Sequence, residues 1–274
     1  MNTLLIIFLL PVILILLFFF LIAPARVDAR LRASFFGCRF AHRGLHAKDK
    51  SVPENSLAAF RLAVEAGYGI ELDIRFTKDK QLVVFHDDTL LRMCGVDQRV
   101  DAFTYTELQE FRLLDSDEQI PLFSEVLSLV AGRIPLLVEI KTGPENALLC
   151  QHAYNMLQTY QGLYCIESFH PMIVRWFKKH APQILRGQLS APIPAFDGAL
   201  SGISAFLLSR LFTNVLARPH FIAYHKGKAP LSVSLCQMLG AMRAVWTLRD
   251  TDYTGNPAEL FETNDMIIFE FFRP

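Results

Sequence analysis

The sequence predicts an α/β protein, a single (β/α)8 TIM barrel preceded by one N-terminal transmembrane helix. Three observations carry that expectation. From about residue 37, apolar bursts of four to seven residues alternate with stretches of helical periodicity, as repeated βα units around a parallel sheet require. The roughly 240 residues they occupy are the length of one such barrel. Before them, residues 3–23 (TLLIIFLLPVILILLFFFLIA) carry no charge and are almost wholly aliphatic or phenylalanine. A doubly wound sheet is the alternative, but no GxGxxG follows the first apolar run.

In chain order, residues 1–25 read as a membrane anchor. At about 1.5 Å per residue the run spans a hydrocarbon core of roughly 30 Å, and Pro11 would only kink it. A cleaved secretory signal is the competing reading, since APA and VDA resemble cleavage sites, but MNT supplies no basic n-region. Arg26, Arg30 and Arg32 follow the segment, which places the rest of the chain on the cytoplasmic side of a single-pass membrane protein. Residues 26–36 form a juxtamembrane linker, and 37–274 the barrel domain. Its expected strands are FFGCRFAH, IELDIRF, LVVFH, LLVEI, LYCIESF, ILRGQLS, HFIAYH, RAVWTL and DMIIFE. Helices such as ENSLAAFRLAVEAG, TYTELQEF, LFSEVLSLVAG and HPMIVRWFKKHA lie between them.

Charge and cysteine usage exclude two classes. With 27 basic and 27 acidic residues there is no net field to attract a polyanion, which argues against nucleic acid as a partner. The five cysteines are scattered without a CxxC pair, so neither zinc nor a redox dithiol is indicated.

Strand phase then singles out the chemistry. In IELDIRF, alternation turns Ile70, Leu72 and Ile74 towards the helices and Glu71, Asp73 and Arg75 into the barrel. In LLVEIKTG the same phase sends Glu139 and Lys141 inward. Neighbouring carboxylates in a barrel interior repel one another and lose hydration unless a cation joins them. Three carboxylates from two strand ends make an all-oxygen site for one divalent cation, Mg²⁺ or Ca²⁺. A purely structural ion-pair layer of the same five side chains is the alternative. His42 and His86 end two apolar runs beside those carboxylates and can exchange protons near neutral pH. Arg43 and Lys141 can supply positive charge to phosphoryl oxygens. Gly44 lets the backbone turn beside a ligand.

The ordered segments AHRG, PENS, GIELDIRFTKDKQLVVFHDDTLLR, IPLFSEVL and LLVEIK, and more weakly IESFHP and AVWTLRD, resemble the glycerophosphodiester phosphodiesterase family over residues 38 to 274. The resemblance implies a (β/α)8 barrel that hydrolyses glycerophosphodiesters to an alcohol and glycerol 3-phosphate with a divalent cation. Carried onto this chain, it makes His42 and His86 the acid/base pair, Glu71, Asp73 and Glu139 the metal ligands, and Arg43 and Lys141 phosphate contacts. It also sets Glu54 near the metal, although Ser51 with Glu54 matches a helix capping box too.

The chain departs from the family pattern at two places. The threonine and aspartate that usually end the last strand are Phe269 and Glu270, and the asparagine after the WTV-like segment is Arg249. Neither position is expected to hold the metal, and both fall on the alcohol end of the pocket, which Trp246 is expected to line. Residues 191–221 form an apolar excursion. There Ile203, Phe206, Leu207, Phe212, Val215 and Leu216 can share a helical face that packs on the barrel or lies on a bilayer. His46, His152, His170, His180, His220 and His225 are assigned to surface or packing roles. The leading function is thus a membrane-anchored, metal-dependent glycerophosphodiester hydrolase. Its alternatives are lysophospholipase D or phospholipase C-type action on membrane lipids such as lysophospholipids, and a non-catalytic phosphodiester-binding barrel.

Overall fold

A computed structural model describes residues 2–274 other than 197, 199 and 254, with side chains from residue 9 onward other than that of 257. The strands are β1 (Cys38–Ala41), β2 (Gly69–Phe76), β3 (Leu82–Val84), β4 (Leu136–Ile140), β5 (Tyr164–Ser168), β6 (Arg186–Ser190), β7 (Phe221–His225), β8 (Met242–Leu248) and β9 (Met266–Phe269). All but β3 run parallel, and β1 pairs with both β2 and β9, closing an eight-stranded barrel. The LVVFH segment differs from expectation: β3 folds back antiparallel on β2 and stands outside the ring.

The helices are α1 (Asn2–Ile22), α2 (Ala29–Phe35), α3 (Leu57–Ala66), α4 (Leu91–Cys94), α5 (Tyr105–Leu108), α6 (Phe123–Val130), α7 (Asn146–Leu157), α8 (Pro171–His180), α9 (Gly202–Ser209), α10 (Asn214–Ala217), α11 (Leu231–Met238) and α12 (Pro257–Leu260). Ser56, not Ser51, caps α3, its hydroxyl accepting the Ala59 N–H at 3.1 Å, so the expected capping box does not form. The TYTELQEF helix is one turn, α5, closed by a capping box between Thr104 and Glu107.

Two-residue alternation builds the core as expected. Ile70, Leu72 and Ile74 pack outward with Phe60 and Ala63 of α3 and with Val126 and Val130 of α6. Inside the ring, Phe40, Leu137, Cys165, Phe221, Met242 and Met266 fill the N-terminal half, and Phe35 of α2 plugs its mouth. Gly187 makes room for this layer, because a Cβ there would lie 2.1 Å from the Phe221 ring. Gly187→Ala should therefore lower unfolding stability by about 1 to 3 kcal/mol, the usual cost of overpacking, as urea denaturation can measure.

The membrane anchor is corrected. Among the described residues no helix is long and apolar enough to cross a membrane. Hydrophobicity alone could not show that the last turn of α1 is committed to protein. Ile22 is buried with Leu211, Ile222 and Tyr224, and Phe18 and Phe19 pack against that group. Asn214 donates to Ile22 O at 2.9 Å, and Arg218 to Phe20 O and Ala23 O, each at 2.8 Å. Without that turn at most residues 2–17 remain, roughly 24 Å of helix at about 1.5 Å per residue, short of a core of about 30 Å. The single-pass topology and its cytoplasmic orientation are overturned with it. Arg32, counted towards that orientation, instead pairs with Asp265 at 2.9 Å and donates to Gly240 O at 2.7 Å.

In the excursion, Ala205, Leu208 and Leu211 form the buried side, while Ile203, Phe206, Leu207 and Leu216 are exposed. Phe212 meets Phe18 edge to face at 5.9 Å. Nearby, His220 is buried against Arg186, and burial, then the Arg186 charge, pushes its pKa down to about 4. A histidine depressed on folding stabilises the fold above its unfolded value near 6.5 and loses that contribution as pH falls towards 4. Unfolding free energy should drop between pH 7 and 4.5, and His220→Gln should shrink that drop by up to about 3 kcal/mol.

Candidate active site

The polar residues gather at the C-terminal ends of the strands, where loops can supply chemistry without breaking the packed ring. Glu71 and Asp73 of β2 and Glu139 of β4 each offer an oxygen within 4.8 Å of the others, and all three are buried. Lys141 Nζ lies 2.7 Å from Asp73 Oδ1 and 2.8 Å from Glu139 Oε1. The Arg43 backbone N–H donates to Glu71 Oε2 at 2.9 Å, and its Nε stands 3.5 Å from Asp73 Oδ2. Arg75 leaves this group. It donates to the carbonyls of Phe85 and His86 and pairs with Asp88 at 2.9 Å, tying down the loop after β3.

A fourth carboxyl joins from β5. Glu167 pairs in register with Glu139, is buried, and has an Oε2 without a hydrogen-bond partner. Four buried carboxyls thus face two cations, Arg43 and Lys141. Burial, then the neighbouring carboxylates, pushes Glu71 and Glu167 well above the usual carboxyl range. Asp73 goes the other way: burial raises it, but Lys141, His86 and Arg43 together hold it well below. An all-oxygen donor set with more negative charge than its counterions fits a hard divalent cation.

His42 follows β1, and its Nδ1 is 3.0 Å from Glu270 Oε2 while Nε2 is 4.0 Å from Glu71 Oε2. Burial, then the Arg43 charge, pulls its pKa to about 4 against the opposing pull of Glu270. A neutral ring donating from Nδ1 to Glu270 leaves the Nε2 lone pair towards the carboxylates. The two departures from the family pattern meet here, because Arg249 Nε donates to Glu270 Oε1 at 2.6 Å. His46, assigned to the surface or to packing, has its Nε2 3.7 Å from the same Glu270.

The backbone around His42 is unusual for a reason. Arg43 has φ 54° and Gly44 φ 82°, and a Cβ on Gly44 would lie 2.9 Å from that of Ala59. Asn55, also left-handed at φ 54°, holds this turn by donating its N–H to Arg43 O at 2.9 Å and its amide to Asp73 Oδ2 at 2.8 Å. Glu54 binds Arg43 Nη1 and Arg92 Nη2, each at 2.6 Å. His86 sits on the loop after β3 with Nδ1 2.7 Å from Asp87 Oδ1, and Arg92 also donates to Asp87 at 2.6 Å.

Trp246 of β8 donates to Ala223 O at 3.0 Å and meets Phe169 at 5.6 Å and His225 at 5.0 Å. Phe196, Ala205 and Leu208 of the excursion complete an apolar wall with it. Sequence reasoning missed Asn55, Arg92 and Glu167 along with the roles of His46, Arg249 and Glu270. Only Glu167 had a local signal, the inward phase of YCIES.

Residues 42–265 match the sequence profile described as the glycerophosphoryl diester phosphodiesterase family. The glycerophosphodiester phosphodiesterase of Caldanaerobacter subterraneus subsp. tengcongensis is 36% identical over 167 residues, 54% of this chain and 65% of that protein. The protein named lysophospholipase D GDPD1 in Rattus norvegicus is 31% identical over 151 residues, 50% of this chain and 46% of its own. The chain therefore spans under two thirds of the length of these relatives. A phosphodiesterase of Oleispira antarctica, solved with the product sn-glycerol 3-phosphate, superposes with a TM-score of 0.69 at 22% identity, covering 87% of this chain and 94% of that one. A glycerophosphodiester phosphodiesterase from Thermotoga maritima gives 0.63 at 24% identity, over 84% and 93%. At such identities these two likenesses bear on the barrel fold.

Proposed function

The chain belongs to the glycerophosphoryl diester phosphodiesterase family, and from that premise we propose that it hydrolyses glycerophosphodiesters to an alcohol and glycerol 3-phosphate. The convergence of Glu71, Asp73 and Glu139 beside His42 carries the reading. A divalent cation, Mg²⁺ or Ca²⁺, held by those three carboxylates would supply charge neutralisation and polarisation of the phosphate. Arg43 and Lys141 bring further positive charge to the phosphoryl oxygens, and Glu54 fixes Arg43. His42, kept neutral by burial and oriented by Glu270, takes a proton from the attacking water. As the phosphorus–oxygen bond to the alcohol breaks, His86 gives that oxygen a proton, with Asp87 steadying the ring.

A second reading is lysophospholipase D action on a lysophospholipid. One observation favours it: Phe169 and Trp246, both only partly buried, sit on an apolar cluster with Phe196, Ala205 and Leu208, a surface an acyl chain could extend. Product analysis on glycerophosphocholine and on micellar lysophosphatidylcholine tests both. Glycerol 3-phosphate from the first supports the leading reading, and turnover of the lipid alone supports the second. Binding of either without turnover would make the chain a phosphodiester-binding barrel and refute both.

A further inference from the structure

Across the barrel from Trp246, a cavity of about 250 Å³ opens between the β2–β3 turn and the loop from β4 into α7. Arg75, Lys78, Lys80, Arg99 and Lys141 line it against only Asp101 and Glu145. This excess of positive charge is local, since the whole chain balances 27 basic against 27 acidic residues. Lys141 joins the cavity to the candidate cation site, through its contacts of 2.7 and 2.8 Å with Asp73 and Glu139. Most of the outer charges are paired, Lys80 with Glu145, Arg99 with Asp101 at 2.8 Å and with Asp88 at 3.8 Å, and Arg75 with Asp88 at 2.9 Å. Lys78 is exposed and makes no ion pair among the described residues. Glu145, the N-cap residue of α7, makes no side-chain cap bond, so the positive end of that helix adds to the same field.

We propose that this cavity, rather than the Trp246 side where the sequence set the alcohol end, is a subsite for an anionic group, a carboxylate or a second phosphate, carried by the alcohol half of the substrate. The proposal deepens the hydrolase reading and rests on it. It makes the preferred substrates glycerophosphodiesters with small acidic head groups. A quaternary ammonium head group gains nothing there and meets repulsion. The volume suits a compact polar head group, and the cations placed around it suit charge-assisted hydrogen bonds to carboxylate or phosphate oxygens.

The test compares kcat/KM for glycerophosphoserine, glycerophosphoinositol 4-phosphate and glycerophosphocholine in the wild type and in Lys78→Gln/Arg99→Gln. Both substituted residues are exposed and outside the catalytic group. Loss of two charged contacts should lower kcat/KM on the two acidic diesters by about 10-fold, through KM, and leave the choline diester unchanged. A loss on only one acidic diester would tell carboxylate from phosphate as the preferred group. Equal change on all three, or a wild-type preference for the choline diester, would overturn the subsite. Calorimetric titration with inorganic pyrophosphate in EDTA separates the two levels of the claim. Binding that disappears in the double variant, with no diester hydrolysed by the wild type, would refute the hydrolase and keep the anion site. Hydrolysis together with pyrophosphate binding that survives the substitutions would refute the anion site and keep the hydrolase.

Discussion

Replacing His42 with alanine is expected to lower turnover by about 10² to 10⁴-fold while cation binding persists, because a general base is worth about that much and this imidazole is not a ligand in the arrangement. Its Nδ1 is taken by Glu270 at 3.0 Å, and its Nε2 faces Glu71 from 4.0 Å, far enough for a water between them. The pH profile gives an independent readout. A base serves only when neutral, so the acid limb of the wild-type profile should fall near pH 4, where burial sets this histidine, well below the ordinary 6.5. Steady-state rates from pH 3.5 to 8 on a soluble diester, with calorimetric cation titrations of both proteins, measure each part. A fully active His42→Ala would remove the histidine from the mechanism.

Asp73→Asn should produce the second large effect, and of a different kind. Lys141, His86 and Arg43 hold Asp73 ionised while Glu71 and Glu167 are driven towards their protonated forms, so Asp73 brings a more dependable negative charge to the site than either of those two. The substitution keeps the shape and the Asn55 side of the contact but loses the charge that Lys141 and Arg43 share. Cation affinity should fall by more than the roughly 10 to 100-fold that losing an outer-shell partner costs. Excess Mg²⁺ or Ca²⁺ should then restore part of the turnover, an outcome not expected for His42→Ala. Unaltered cation affinity in Asp73→Asn would favour the ion-pair layer as the sole role of these carboxylates.

What the sequence disclosed follows the reach of each signal. Alternation in IELDIRF and LLVEI is local, and it correctly sent Glu71, Asp73 and Glu139 inward and Ile70, Leu72 and Ile74 outward. The same rule would have found Glu167. Glu270 could not be read that way, since its partner His42 lies 228 residues away and chain closure alone brings β9 beside β1. Arg92 and Asn55 act from a short helix and a left-handed turn that carry no periodic pattern. LVVFH looked like another barrel strand because a three-residue hairpin strand and a buried parallel strand share the same apolar signature. The N-terminal run misled for a related reason. Apolarity marks burial without saying whether lipid or protein covers it, and here α10 and β7 receive its last turn.

In the mechanism proposed, buried carboxylates and a neutral histidine at the strand ends carry out cation-dependent diester hydrolysis. The most direct measurement follows release of glycerol 3-phosphate from a glycerophosphodiester by protein stripped with EDTA, as Mg²⁺ or Ca²⁺ is titrated back. No release is expected in EDTA, and recovery should saturate at one ion per chain with the half-point found by calorimetry. Full release in EDTA, or recovery unaffected by Asp73→Asn, would contradict it.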